Sequence, residues 1–213
     1  MGPQHEGNLM YIGMRWTTSS DPAATAALVT AAAAKLRDDF GWNAVAATSL
    51  TGTSGRFGVL SLHDSLSELL DRRSAVAADP GFGEMLSKAA GHTVAGSGTD
   101  FVMRVIHGDP GGGEGDLLFF RGVYAQPGHI QDLAAAAAGI AEHTASVHGV
   151  NATVSTSVGG DGEGVLYSVR MQSGDDLEQF GDALAADELV MKMIADSAQH
   201  GAGMQDRIIR ILP

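Results

Sequence analysis

The chain has 213 residues, no cysteine and eight histidines. Thiolate nucleophiles, disulfides and Cys-ligated metals are therefore excluded, and proton transfer falls first to histidine, whose ordinary pKa lies near neutrality. His143 and His148 stand five apart near an expected helix end, without a third ligand at useful spacing. There is no HExxH or His-x-His pattern, so no metal site is expected. A serine nucleophile would need a strand–turn–helix elbow, and "GTSGR" (52–56) falls on a hairpin turn instead. Asp175-Asp176 open a helix, where favourable contact with the helix dipole is a sufficient reason for them. "GDPGGGEGD" (108–116) lacks the Lys-Ser/Thr of a phosphate cradle and reads as a connector; no cofactor is expected.

These residues gain meaning from an internal echo. "GWNAVAATSL" (41–50) is answered by "GVNATVSTSV" (149–158), placing Asn43 and Asn151 at a separation of 108. "NLMYIGMRW" (8–16) aligns with "DLLFFRGVY" (116–124), "AAD" (77–79) recurs at 185–187, and His92 pairs with His200, all at 108. "DFVMRVI" (100–106) matches "DRIIRIL" (206–212) at 106. A shift of two preserves the in–out alternation of a strand, so the sequence reads as a duplication with small loop insertions.

Each copy shows the same order of patterns. A short apolar strand precedes a helix, signalled in the first copy by Asp21-Pro22 and ended by Gly41. Two strands joined by a glycine-rich turn read as a hairpin. A second helix, capped by Asp64 or Ser65 and ending at His92 in the first copy and His200 in the second, leads to a last strand. The expected fold class is α+β: two ferredoxin-like β-α-β-β-α-β repeats, residues 8–107 and 116–213, with a glycine-rich linker at 108–115.

Such a unit covers one sheet face with helices and leaves the other to be buried elsewhere. On element order and repeat, the chain resembles the dimeric α/β barrel superfamily, as a tandem version within one chain. The resemblance implies a ligand cavity between a sheet and its helices, or within the barrel. It also implies activities such as those of the cofactor-independent antibiotic-biosynthesis monooxygenases or the haem-handling members.

Strand parity suggests which side chains line the barrel. Burying an unpaired arginine beneath helices is costly, so the set containing Tyr11, Arg15 and Arg121 is assigned to the barrel interior. Asn43, Asn151, His63 and Tyr167 are assigned there too. Differences between the copies mark where one could specialise. Trp42 becomes Val150, His63 becomes Val169, Gly13 becomes Arg121, Arg15 becomes Val123 and Ser61 becomes Tyr167. The candidate catalytic residues are His63, Arg15 and Arg121. The candidate substrate-binding residues are Trp42, Asn43, Asn151, Tyr11 and Tyr167.

Charge narrows the partners. Thirteen basic and 25 acidic residues give a net charge of −12 without a basic cluster, which disfavours nucleic acid. Arg72-Arg73 reads as a solvated helix face. No apolar run is long enough to span a bilayer and no secretory signal is visible, so a cytoplasmic protein is expected, and the enrichment in alanine, glycine and aspartate with few lysines suggests a bacterial source. Two functions stay open: an enzyme that binds and oxidises a small apolar or aromatic molecule, and a non-catalytic binding or assembly protein with a filled barrel. Haem handling is a third. The partner is a small molecule, and the fused unit could pair again as a homodimer.

Overall fold

A computed structural model describes residues 10–53, 55–111, 115–160 and 164–213. The centre of the connector (112–114) and the tip of the second hairpin (161–163) lie outside the described residues. The first half runs β1 (Tyr11–Thr18), α1 (Pro22–Phe40), β2 (Asn43–Ser49), β3 (Arg56–His63), α2 (Leu66–Ala78), α3 (Pro80–Ala90) and β4 (Thr99–His107). The second runs β5 (Leu117–Ala125), α4 (Ile130–His148), β6 (Ala152–Gly160), β7 (Gly164–Met171), α5 (Gly174–Ala186), α6 (Glu188–Ser197) and β8 (Gly201–Ile211). A 3-10 turn, Ala198–His200, precedes β8.

Local chemistry sets most boundaries. Asp21 caps α1 with Pro22 in its first turn, and Gly41 closes it with φ of 66°, a conformation that favours glycine. Ser65 caps α2 by accepting from the Glu68 amide. The single second helix expected in each half is instead two. Asp79 ends α2 and its side chain caps α3, which begins at Pro80; Asp187 separates α5 from α6 in the same way. The "AAD" echo is thus a break between helices, because a capping Asp offers the next helix a better start than the previous one a continuation. His92 consequently lies in the turn after α3, and His200 in the 3-10 turn.

The strands form a closed antiparallel barrel in the order β1-β3-β2-β8-β5-β7-β6-β4. Each half supplies four adjacent strands, and the halves join edge to edge through β2–β8 and β4–β6, leaving no open sheet edge. Among the described residues, no helix is long and apolar enough to cross a membrane.

The barrel interior is apolar. Ile12, Met14 and Trp16 meet Leu60, Met103, Phe120 and Ile209 there. At one end a pocket of about 100 Å³ remains, lined by Trp16, Tyr124, Gln205 and Arg207 among others. The parity assignment is therefore inverted on several strands. Leu60 and Leu62 of β3 and Leu118 and Phe120 of β5 point inward, so Tyr11, Arg15, His63 and Arg121 take the opposite, helix-covered face. Tyr167 packs in the cluster beneath α4 and α5. An eight-stranded barrel is just wide enough to be filled by side chains, and it takes the bulky apolar set. The arginines avoid the penalty by other means. The Arg15 side chain is 67% exposed, and Arg121 is paired with Asp206.

Candidate functional site

The helix-covered face differs between halves. Beneath α4 and α5 the side chains form a continuous core that includes Leu133, Val154, Tyr167, Val169 and Phe180. In the first half the corresponding cluster contracts to Leu36, Ala44 and Val76, with Phe40, Trp42, Val59 and Phe82 packed against it. The rest of that layer is a cavity of about 730 Å³, within the 300–1,000 Å³ range of small-molecule sites.

Small residues keep its floor low. Gly13 of β1 pairs with Ser61 of β3, and a Cβ at Gly13 would stand 2.8 Å from Ser61 Oγ and 3.4 Å from Leu69 Cδ1. Leu28, Val29, Ala32 and Leu36 of α1 form one wall. Phe82, Met85, Leu86 and Ala89 of α3 form the roof. Their i, i+3, i+4, i+7 spacing is an amphipathic helix stripe, and here it faces open volume, with no residue of α3 buried.

Polar groups concentrate at one side. Trp42, just before β2, lines the cavity and meets His63 edge to face, ring centroids 4.9 Å apart at 81°. His63, 3% exposed, holds Nε2 at 2.9 Å from Ser61 Oγ, and Ser61 lines the cavity. Among the described residues, neither Trp42 Nε1 nor His63 Nδ1 has a hydrogen-bond partner, although both atoms are buried. Burial pushes the His63 pKa below its ordinary value of 6.5, so the ring is neutral at physiological pH. A neutral imidazole bonded to a hydroxyl that borders a cavity can pass a proton to or from a molecule held there.

Two arginines share one carboxylate at the rim. Arg15 Nη1 and Arg73 Nη2 each lie 3.8 Å from an oxygen of Asp100. Both contacts are long, leaving both guanidiniums free to meet an anionic oxygen. Arg73 reaches over the floor, its Nη2 being 3.6 Å from where a Gly13 Cβ would stand. Arg73 was missed as a surface residue. The available signal was its place four residues after Leu69 and three before Val76, both buried on α2, which puts it on the inward face.

The second half fills the same space. The strand register sets Arg121 opposite Tyr167 just as it sets Gly13 opposite Ser61. Arg121 binds Asp206 through both Nε and Nη2, at 2.8 and 2.7 Å. Tyr167, 8% exposed, lies 3.3 Å from the Thr144 hydroxyl, and burial raises its pKa. Among the sequence candidates, the fold brings Trp42 and Arg15 into the lining of one cavity, sets His63 behind it against Ser61 and Trp42, and places Arg121 and Tyr167 on the other half. Tyr11 pairs with His63 across β1–β3 but is not among the lining residues. Asn43 and Asn151 have the parity of the barrel-facing residues, yet both are exposed, Asn43 as the first residue of β2 and Asn151 just before β6.

His143 and His148, without a third ligand at useful spacing in the sequence, are joined by one through the fold: both Nε2 atoms bond to Asp187 Oδ2, at 2.8 and 2.9 Å. Asp187 sits 39 residues beyond His148 in sequence, and the α5–α6 break brings it to the C-terminal end of α4, beyond the reach of any spacing rule.

No protein-family model matches the sequence, and no curated protein matches it significantly. Solved structures do. An anthrone oxidase-like protein matches with a TM-score of 0.67 at 15% identity, over 98% of this chain and 93% of that one. A proposed monooxygenase from Fusobacterium nucleatum matches with a TM-score of 0.66 at 8% identity, over 96% and 93%. A haem-binding protein from Thermus thermophilus matches with a TM-score of 0.54 at 10% identity, over 99% and 94%. The chain has the dimeric α/β barrel fold, built here from one polypeptide.

Proposed function

We propose that the chain binds one small aromatic molecule carrying an ionisable oxygen in the cavity between β1, β3 and α1–α3, and oxidises it with dioxygen. The observation that carries this reading is the α3 stripe of Phe82, Met85, Leu86 and Ala89 set over about 730 Å³ of open volume, bordered by an unpartnered indole N–H. An apolar helix face held over a gap forgoes packing that an apolar ligand would restore. Trp42 Nε1 donates to the ligand oxygen, Arg73 and Arg15 offset its negative charge, and Ser61 with His63 removes a proton. For a ring ketone with an acidic CH2, the resulting carbanion forms a C–O bond to dioxygen. The hydroperoxide O–O bond then breaks with loss of water, leaving a new C=O: one O2 is consumed and one water released. The anthrone oxidase-like and monooxygenase neighbours support this reading by fold alone.

We read the two halves as copies of one unit. Their shared element order and matched registers support this, with the first copy keeping a cavity that the second has closed. Haem fits the cavity poorly. Among the described residues its lining offers no imidazole, phenolate or thiolate, only the Met85 thioether, as an axial ligand.

The test is calorimetric titration with anthrone as probe, followed by oxygen-electrode measurements. One molecule bound per chain, with oxygen uptake lost when the cavity is filled by substitution, supports the reading. Binding without uptake reduces it to the non-catalytic alternative, and absence of binding at millimolar probe overturns it.

A further inference from the structure

At the opposite end of α4 from His143 and His148, three side chains converge that the proposed function does not use. His129 Nδ1 lies 3.0 Å from His200 Nδ1 and 2.9 Å from Asp132 Oδ2, and His200 Nδ1 lies 3.8 Å from the same carboxylate oxygen. The imidazole rings are tilted 30° to each other with centroids 4.9 Å apart.

Protons serve this arrangement only through one shared hydrogen. A ring nitrogen offers either one N–H or one lone pair. If His129 Nδ1 carries the proton it donates to Asp132, and His200 Nδ1 is left with a share of the same hydrogen. If it does not, its lone pair faces a carboxylate at 2.9 Å. A divalent cation resolves the conflict by taking all three lone pairs. A triangle with edges of 2.9, 3.0 and 3.8 Å is spanned by an ion roughly 2.0–2.2 Å from each corner, the usual Zn–N and Zn–O lengths.

The surrounding chain favours the same conclusion. In the first half the N-cap of α1 is Asp21, whose Oδ1 caps the helix while Oδ2 sits 3.5 Å from His92 Nδ1. At the corresponding cap of α4 stands His129, which makes no capping hydrogen bond. A good capping residue has been given up and a nitrogen aimed at His200 instead. Backbone bonds fix the two segments together: Gln126 N donates to His200 O at 2.8 Å, and His129 N donates to Gln126 O at 3.0 Å.

We propose that His129, Asp132 and His200 form a three-ligand site for a borderline divalent cation, with zinc as the reference ion, tying the start of α4 to the entry of β8. Imidazole and carboxylate suit zinc among such ions, and three protein ligands leave a fourth position for water. The His143–His148–Asp187 group is not assigned this role, because both imidazole N–H groups there find an acceptor on Asp187.

The experiment uses the full chain freed of metal by chelator. Zinc is titrated against a chromophoric competitor, and cobalt provides a spectroscopic reading of coordination geometry. Expected are one zinc per chain, intense visible cobalt bands typical of a four-coordinate site, and a higher melting temperature with zinc. Loss of an outer-shell partner already costs a metal site 10–100-fold in affinity, so loss of a ligand is expected to cost about 100-fold or more. His200→Asn and His129→Ser should each do so. His129→Ser supplies a capping hydroxyl, so this variant folds at least as well as the parent without metal. His143→Asn/His148→Asn should leave zinc affinity unchanged. No binding at 100-fold excess zinc overturns the proposal. So does binding that survives His129→Ser, or binding lost only in His143→Asn/His148→Asn.

Discussion

Trp42 and His63 stand edge to face, 4.9 Å between ring centroids, and each keeps one buried nitrogen without a partner among the described residues. In the second half the positions read Val150 and Val169, and Val169 is 1% exposed within a closed core. A buried polar atom left unpaired costs about 1–3 kcal/mol, so two in one corner, the Trp42 N–H and His63 Nδ1, are an expense the second half avoids. Polar groups held unsatisfied beside an open cavity are what a ligand with complementary oxygens completes.

Trp42→Phe isolates the indole donor. The phenyl ring retains an edge for His63 and most of the apolar wall, while the orphan N–H disappears. Thermal stability is expected to hold within a few degrees, since relief of the orphan offsets the lost volume. Affinity for an oxygen-bearing aromatic probe should fall roughly two- to tenfold, the worth of one net hydrogen bond of ~0.5–1.5 kcal/mol. Calorimetric titration with anthrone, and with anthracene as the oxygen-free control, reads the effect. An equal loss for both probes would assign Trp42 to packing alone.

Converting the first half toward the second tests the cavity directly. In Ser61→Phe/His63→Val the floor acquires a ring where Tyr167 stands in the other half, and the imidazole that would lose its hydroxyl partner is removed with it. Phe is chosen over Tyr because Tyr167 uses Thr144, whereas α1 lines the cavity with Leu36. The melting temperature is expected to stay level or rise, and probe binding to vanish. A folded double variant with undiminished binding would place the ligand elsewhere.

Much of the architecture was legible because it is written in local chemistry. Asp21-Pro22, Gly41 and the hairpin turns mark element ends whatever the tertiary context. The face assignment failed because parity shows which residues share a face, not which face is the barrel interior. Arg15 was taken to mark the inside, yet it escapes burial at the rim, while Met14 and Leu60 fill the lumen. Trp42, His63, Gly13, Arg15 and Ser61 were visible as a set only through the differences between halves, and they do meet in space. Arg73 needed the helix face of α2, and Asp187 needed the break between α5 and α6.

The depressed pKa of His63 gives stability a pH dependence of definite sign. Above its ordinary value of 6.5 the ring is neutral in both folded and unfolded chains, and it contributes no slope. Below that value the unfolded chain binds a proton that the buried ring refuses, so stability falls as pH drops toward the folded-state pKa. Urea midpoints between pH 7.5 and 5 should decline more steeply for the parent than for His63→Gln. Other histidines act equally in both chains, so the difference belongs to His63, and parallel profiles would show that the ring is solvated.

Asp187 adds a loss of stability at lower pH, by holding its charged rather than its neutral form. Its carboxylate accepts from the Leu189 and Val190 amides through Oδ1 and from His143 and His148 through Oδ2. These bonds, led by the Val190 amide and then His143, hold its pKa far below the ordinary 3.8. A carboxylate depressed in the folded chain contributes stability above the unfolded value and loses it as pH falls toward the folded one. Asp187→Asn keeps a capping oxygen for α6 but removes the charge and one acceptor, so it should be less stable than the parent at pH 7. The deficit should shrink below pH 4, as the parent alone forfeits its ionised carboxylate. Urea unfolding of both proteins from pH 7 to pH 2 gives the two curves, and a constant gap between them would mean that Asp187 acts only as a cap.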